Sequence, residues 1–163
     1  MPEEDIATGI ERLMRVKIED SEGMGVKTLD VPVFNLKFVE ERNCARYTRL
    51  AAKYLFGLEY PVHAAWELAD EIGTQKVENN DELIELEAAG ILSPGRLIGV
   101  FIPDSKSNLD TRAYTHVALY LGVSADRRGD MLFAEQMIDK TRVQPFFGYC
   151  MDGLQIKDIL FLK

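Results

Sequence analysis

The chain has 163 residues, 47% of them hydrophobic and 28% charged, with only 12 Gly and 6 Pro. This excludes a disordered or collagen-like polymer and fits one globular domain that buries its core without disulfides. Nineteen Lys and Arg against 27 Asp and Glu leave a net charge of −8, so the surface as a whole repels polyanions and nucleic acid is a poor partner. Cys44 and Cys150 are too few for a disulfide framework, and with His63 and His116 they show none of the short spacings of a zinc site. Free thiols in a reducing compartment are expected, with no metal or cofactor. The N-terminus, MPEEDIATG, is acidic where a signal peptide is basic and then apolar, and no apolar run has the length of a membrane span. The expectation is a protein that is cytoplasmic as synthesised, with delivery to a cell wall by another route left open.

From Glu3 to about Arg15, Ile6, Ile10, Leu13 and Met14 share one stripe and predict a short amphipathic helix. Asp20 to Gly25 (DSEGMG) is a turn cluster, and Val31 to Val39 reads as an extended segment with Pro32 near its start. A helix is predicted from Asn43, with Tyr47, Leu50, Ala51, Tyr54 and Leu55 as its apolar face and Gly57 as its stop; Arg42, Arg46, Arg49 and Lys53 fall on a separate stripe. Pro61 opens a second helix, with Val62, Ala65, Trp66, Ala69 and Ile72 at helical spacing and Gly73 at its end, and a third runs from an Asn80 cap to Gly90. The acidic residues of these two helices read as a solvated face.

After Gly90 the pattern changes to strands at Leu97–Ile102, Tyr114–Gly122, Met131–Met137 and from Ile156 to the C-terminus. Helices first and strands second predict an α+β domain with N-terminal helices packed on a C-terminal antiparallel sheet, and argue against a doubly wound parallel fold. No repeat or linker divides the chain, so residues 1–163 form one domain.

Cys44 falls at the predicted start of a helix, where unpaired N–H groups and the helix dipole favour a thiolate. Helical spacing puts it with Tyr47 and Ala51, facing the sheet. His116 lies near the start of a predicted strand and shares a face with Ala118 and Tyr120. If that face meets the helix tip, the imidazole can take the thiol proton and return it to a leaving amine. A general base needs a third group to orient it. The neighbouring strand, reached through a polar turn from Asp126 to Asp130, offers Glu135, or Gln136 if the register shifts by one. His63 reads as a surface residue one turn from Glu67, and Cys150, in FFGYCMDG, as a spare thiol.

The order Cys, His, then acid or amide resembles the papain-like cysteine amidases and peptidases of the NlpC and CHAP families. NCARY at Asn43–Tyr47 looks like their nucleophile helix start, LSPGRLIGVF at Leu92–Phe101 like their Pro-Gly turn into a core strand, and HVALYLG at His116–Gly122 like their histidine strand. FAEQM at Phe133–Met137 is similar to the CHAP pattern in which Glu follows the histidine strand. The resemblance covers residues 43–137 as a catalytic-like core and leaves 1–42 as an extension that covers a cleft or braces the sheet. Asn43, Arg46, Arg96 and Met137 depart from the families' usual residues; Met137 removes one polar support for the histidine.

The resemblance implies the papain-like fold and an amide hydrolase. Cys44 is then the nucleophile, with its backbone N–H facing the oxyanion, His116 the proton shuttle and Glu135 its orienting group. Gln136 is the alternative third residue, and Asn43 and Tyr47 are candidates for oxyanion or substrate contact. The implied substrate is a peptide or other amide, with peptidoglycan stem peptides or cross-links as the family's own. An acyltransferase of the same fold and a catalytically silent binding module are the rival readings.

Overall fold

The computed structural model describes residues 10–19, 25–34, 43–60, 73–76, 80–101, 116–126, 130–137, 140–146 and 155–160. In chain order these form β1 (Ile10–Glu19), β2 (Val26–Phe34), α1 (Asn43–Phe56), β3 (Gly73–Lys76), α2 (Asn80–Ala88), β4 (Leu97–Phe101), β5 (His116–Val123), β6 (Met131–Gln136), β7 (Thr141–Pro145) and β8 (Gln155–Leu160). β1 and β2 make a two-stranded sheet, and the others a six-stranded sheet in the order β3-β8-β4-β5-β6-β7. Every described pairing is antiparallel. The described fold is therefore α+β.

The helix predicted over Glu3–Arg15 is corrected from Ile10 onward, where the chain is a strand. Met14, Val16 and Ile18 alternate with exposed Arg15, Lys17 and Glu19, a period of two that the helical stripe had overlapped. β2 begins at Val26, before the predicted extended segment, and pairs along nearly all of β1. The helix predicted from Pro61 lies outside the described residues as far as Ile72, and Gly73, its expected stop, opens β3. β3 and β7 carried no strand expectation.

α1 begins at Asn43 and ends before Gly57, whose φ of 69° suits a residue without a side chain just past a helix. Its buried stripe of Cys44, Tyr47 and Ala51 packs on Val117, Leu119 and Leu121 of β5 and on Leu132 and Ala134 of β6. The hairpin closes the same core through Ile18, Leu29, Val31 and Phe34. It docks on the sheet by an Ile18–Ser124 bridge and by the Ala125 N–H donating to the Lys17 carbonyl at 2.9 Å. Gly122, at φ 132°, leaves the room this docking needs, because a Cβ there would lie 2.6 Å from Ile18 Cγ2.

The other face of β5 and β6 presents Ala118, Tyr120, Met131 and Phe133 to a second core with Leu83 of α2, Leu92, Ile98 and Phe146. Covered on both faces, HVALYLG of β5 is buried throughout, which is why it reads as a continuous apolar run rather than an alternating one. Among the described residues no helix is long and apolar enough to cross a membrane.

Candidate active site

Two chain positions remote in sequence meet at the end of the main sheet. Cys44 is the second residue of α1 and His116 the first of β5. α1 lies over Val117, Leu119 and Leu121 of β5, whereas Ala118 and Tyr120 belong to the second core on the other face. Cys44 and His116 lie close enough to shift each other's ionisation, and the backbone N–H groups of Val117 and Ala45 also act on the sulfur.

β6 supplies the next partner. Its register with β5 sets Ala134 opposite Leu119 and Phe133 opposite Tyr120, and alternation then puts Glu135 on the face that His116 shares. His116 Nε2 and Glu135 Oε1 are 2.9 Å apart. With Nε2 so engaged, Nδ1 is the nitrogen left for the sulfur. The second Glu135 oxygen, Oε2, accepts from Arg142 Nε. Arg142 lies on β7, directly across the strand pair from Glu135. Cys44 is 7% exposed, His116 6% and Glu135 0%, so all three side chains are almost entirely shielded from water.

The electrostatics follow from this packing. Burial pushes the Cys44 thiol up, but the hydrogen bond and charge of His116, together with the Val117 and Ala45 N–H groups, outweigh it and hold the thiol below its ordinary 9.0. Burial pushes His116 down, yet the hydrogen bonds and negative charges of Cys44 and Glu135 prevail and raise it to about 10. Each shift favours the charged form of its group.

The remaining candidates are placed as follows. Gln136 turns away from the histidine: its Nε2 donates to the Met137 carbonyl at 2.9 Å and its Oε1 accepts from Thr141 Oγ1 at 2.5 Å. Tyr47 is corrected as a substrate contact. It is fully buried, its hydroxyl donates to the Pro32 carbonyl at 2.8 Å, and its ring meets Phe34 edge-on at 5.8 Å. It fastens α1 to the hairpin. Asn43 opens α1, and its side chain lies outside the described residues, as do His63 and Cys150.

Sequence reasoning missed Arg142 and Thr48. The buried Thr48 hydroxyl bonds the carbonyls of Cys44 and Ala45, each at 3.0 Å, and so ties down the first turn of α1. Arg142 had one available signal, the requirement that a carboxylate buried on β6 find a cation on the returning strand. Among the described residues no group of three or more His, Cys, Asp or Glu is placed to hold a metal ion. Comparison with protein-family models, curated proteins and solved structures found no match to this chain.

Proposed function

We propose that the chain is a cysteine-dependent amide hydrolase of papain-like type, with peptidoglycan stem peptides as the first substrates to test. The observation that carries this reading is the His116–Glu135 pair, 2.9 Å apart and buried, beside a helix N-terminus whose Cys44 thiol and the His116 ring shift each other's ionisation. The peptidoglycan substrate rests on the resemblance of NCARY, HVALYLG and FAEQM to NlpC and CHAP enzymes.

In this mechanism the Cys44 thiolate attacks the carbonyl carbon and the C=O electron pair moves to oxygen. The Cys44 backbone N–H, which has no acceptor within its helix, stabilises that oxyanion. The tetrahedral species collapses as the His116 imidazolium gives its proton to the leaving nitrogen, which frees the amine and leaves a thioester. Water then attacks the thioester while His116 takes its proton, and release of the acid restores the thiolate. Glu135 keeps the ring in place through both transfers. The near-complete burial of the sulfur also suits acyl transfer, in which an amine takes the place of water.

Turnover of peptidoglycan fragments and of a panel of peptide amides, compared with Cys44→Ala and His116→Ala, tests the reading. Each variant is expected to lose at least about a thousandfold in kcat/KM while keeping its circular dichroism spectrum. Product masses that have gained water identify hydrolysis, and masses that have gained the amine identify transfer. Full turnover by Cys44→Ala overturns the proposal.

A further inference from the structure

We propose that Arg142 is a positioning residue for the Cys44–His116 pair, fixing the charge and orientation of Glu135 so that His116 presents its Nδ1 to the sulfur. The inference deepens the hydrolase reading, and its effect on the thiol is measurable without any substrate.

The Glu135 carboxylate has no exposed surface. A buried negative charge without a countercharge costs several kcal/mol or is removed by uptake of a proton. Glu135 meets a cation on the adjacent strand: Arg142 Nε binds Oε2, leaving Oε1 to His116 Nε2. The Arg142 guanidinium supplies the countercharge, and its side chain, 26% exposed, keeps contact with water.

The proton inventory shows why this matters. An ionised Glu135 only accepts, so Nε2 must carry the hydrogen and Nδ1 of the neutral ring is free to take the thiol proton. A protonated Glu135 can instead donate to Nε2, which moves the ring hydrogen to Nδ1, where it cannot act as base toward Cys44. Arg142 therefore selects the tautomer through Glu135, without touching the ring.

The β6–β7 hairpin holds this arrangement in register. Glu135 faces Arg142 and Gln136 faces Thr141 as direct cross-strand pairs. The Met137 N–H donates to the Lys140 carbonyl at 2.7 Å across the turn, beside the Gln136 and Thr141 bonds. Among the described titratable groups, Cys44 acts on His116 from α1 and Glu135 from β6, while Arg142 acts on Glu135 from β7.

The test is the pH dependence of Cys44 alkylation by iodoacetamide in the full chain, with Arg142→Gln, Arg142→Lys, Glu135→Gln and the double variant Glu135→Gln/Arg142→Gln. Arg142→Gln is expected to move the acid limb upward by about one pH unit, or roughly tenfold in rate at neutral pH, and Arg142→Lys to recover most of it. In turnover the same variant lowers kcat and leaves KM unchanged. Glu135→Gln should reproduce the shift, and the double variant should add nothing to it. The double variant buries no unpaired charge, so its comparison with Glu135→Gln decides the matter even where Arg142→Gln fails to fold. An unshifted limb in Arg142→Gln, or a further tenfold loss in the double variant, overturns the proposal. Activity retained by Cys44→Ala would remove the hydrolase reading and leave this alkylation result standing.

Discussion

The two described helices open alike and then part at the second residue. α1 starts Asn43-Cys44-Ala45-Arg46 and α2 starts Asn80-Asp81-Glu82-Leu83. Any helix N-terminus leaves backbone N–H groups unpaired and carries partial positive charge, which an anion in the first turn offsets. α2 answers with two carboxylates, Asp81 and Glu82, whereas the first turn of α1 holds no acidic residue. In the slot that Asp81 fills with an exposed carboxylate, α1 places a buried thiol. The same backbone feature stabilises a surface helix in one place and favours the ionised form of a thiol in the other. α1 takes its own stability from burial instead, with Tyr47, Ala51 and Ala52 fully enclosed.

The largest expected effect comes from breaking the α1 side of this contrast at His116. In His116→Ala the burial that pushes the Cys44 thiol up keeps its full force and the strongest opposing contact is gone. Cys44 alkylation at neutral pH should slow by about one to two orders of magnitude, read as a rate against that of the parent protein. The thiol lies below its ordinary 9.0, so the stabilisation from its charged form is complete above that value and lost as pH falls through the lowered one. His116 is raised from 6.5 to about 10, so its contribution is complete below 6.5 and lost as pH rises through about 10. Alkylation should therefore show an acid limb alone, and kcat/KM should fall on both sides, the alkaline limb near pH 10. A neutral-pH alkylation rate unchanged in His116→Ala would mean that the helix terminus alone sets the thiol.

How far this site was legible from sequence depended on whether the signal was local. Cys44 opens an apolar stripe that closes on Gly57, and His116 opens a run apolar at every following position to Leu121, so both elements could be placed from residue order. The choice between Glu135 and Gln136 could not be, because neighbouring strand residues face opposite ways and only the pairing of Leu119 with Ala134 sets the parity. β1 failed for a different reason. Ile10, Leu13 and Met14 satisfy a helical stripe while Met14, Val16 and Ile18 satisfy a strand, and it is Leu29 and Val31 on the partner strand that favour the second. Arg142 sits in TRVQP, a short polar segment ending in proline, whose strand character comes from pairing with β6.

A smaller effect tests whether burial really holds α1. Tyr47→Phe keeps the edge-on ring contact with Phe34 and removes only the hydroxyl that donates to the Pro32 carbonyl. Loss of that buried bond should cost about 1–2 kcal/mol in denaturant unfolding, with the Cys44 alkylation profile unchanged. A change in substrate KM without a stability cost would return Tyr47 to the role of a substrate contact.

The smallest effect belongs to α2, and it sharpens the contrast because so little should happen. Asp81 is exposed at the second position of a short helix, where its carboxylate acts on the helix end across solvent. Asp81→Ala should cost about 0.3–1 kcal/mol, a fall in Tm of roughly 1–4 °C that shrinks as salt is added. Cys44 occupies the equivalent place without that screening, since burial keeps ions and most water away. Raising the salt concentration should therefore erase the Asp81 effect and leave the acid limb of Cys44 alkylation where it was. Should both respond to salt alike, the two helix ends would be electrostatically equivalent, and burial would not be what sets the thiol apart.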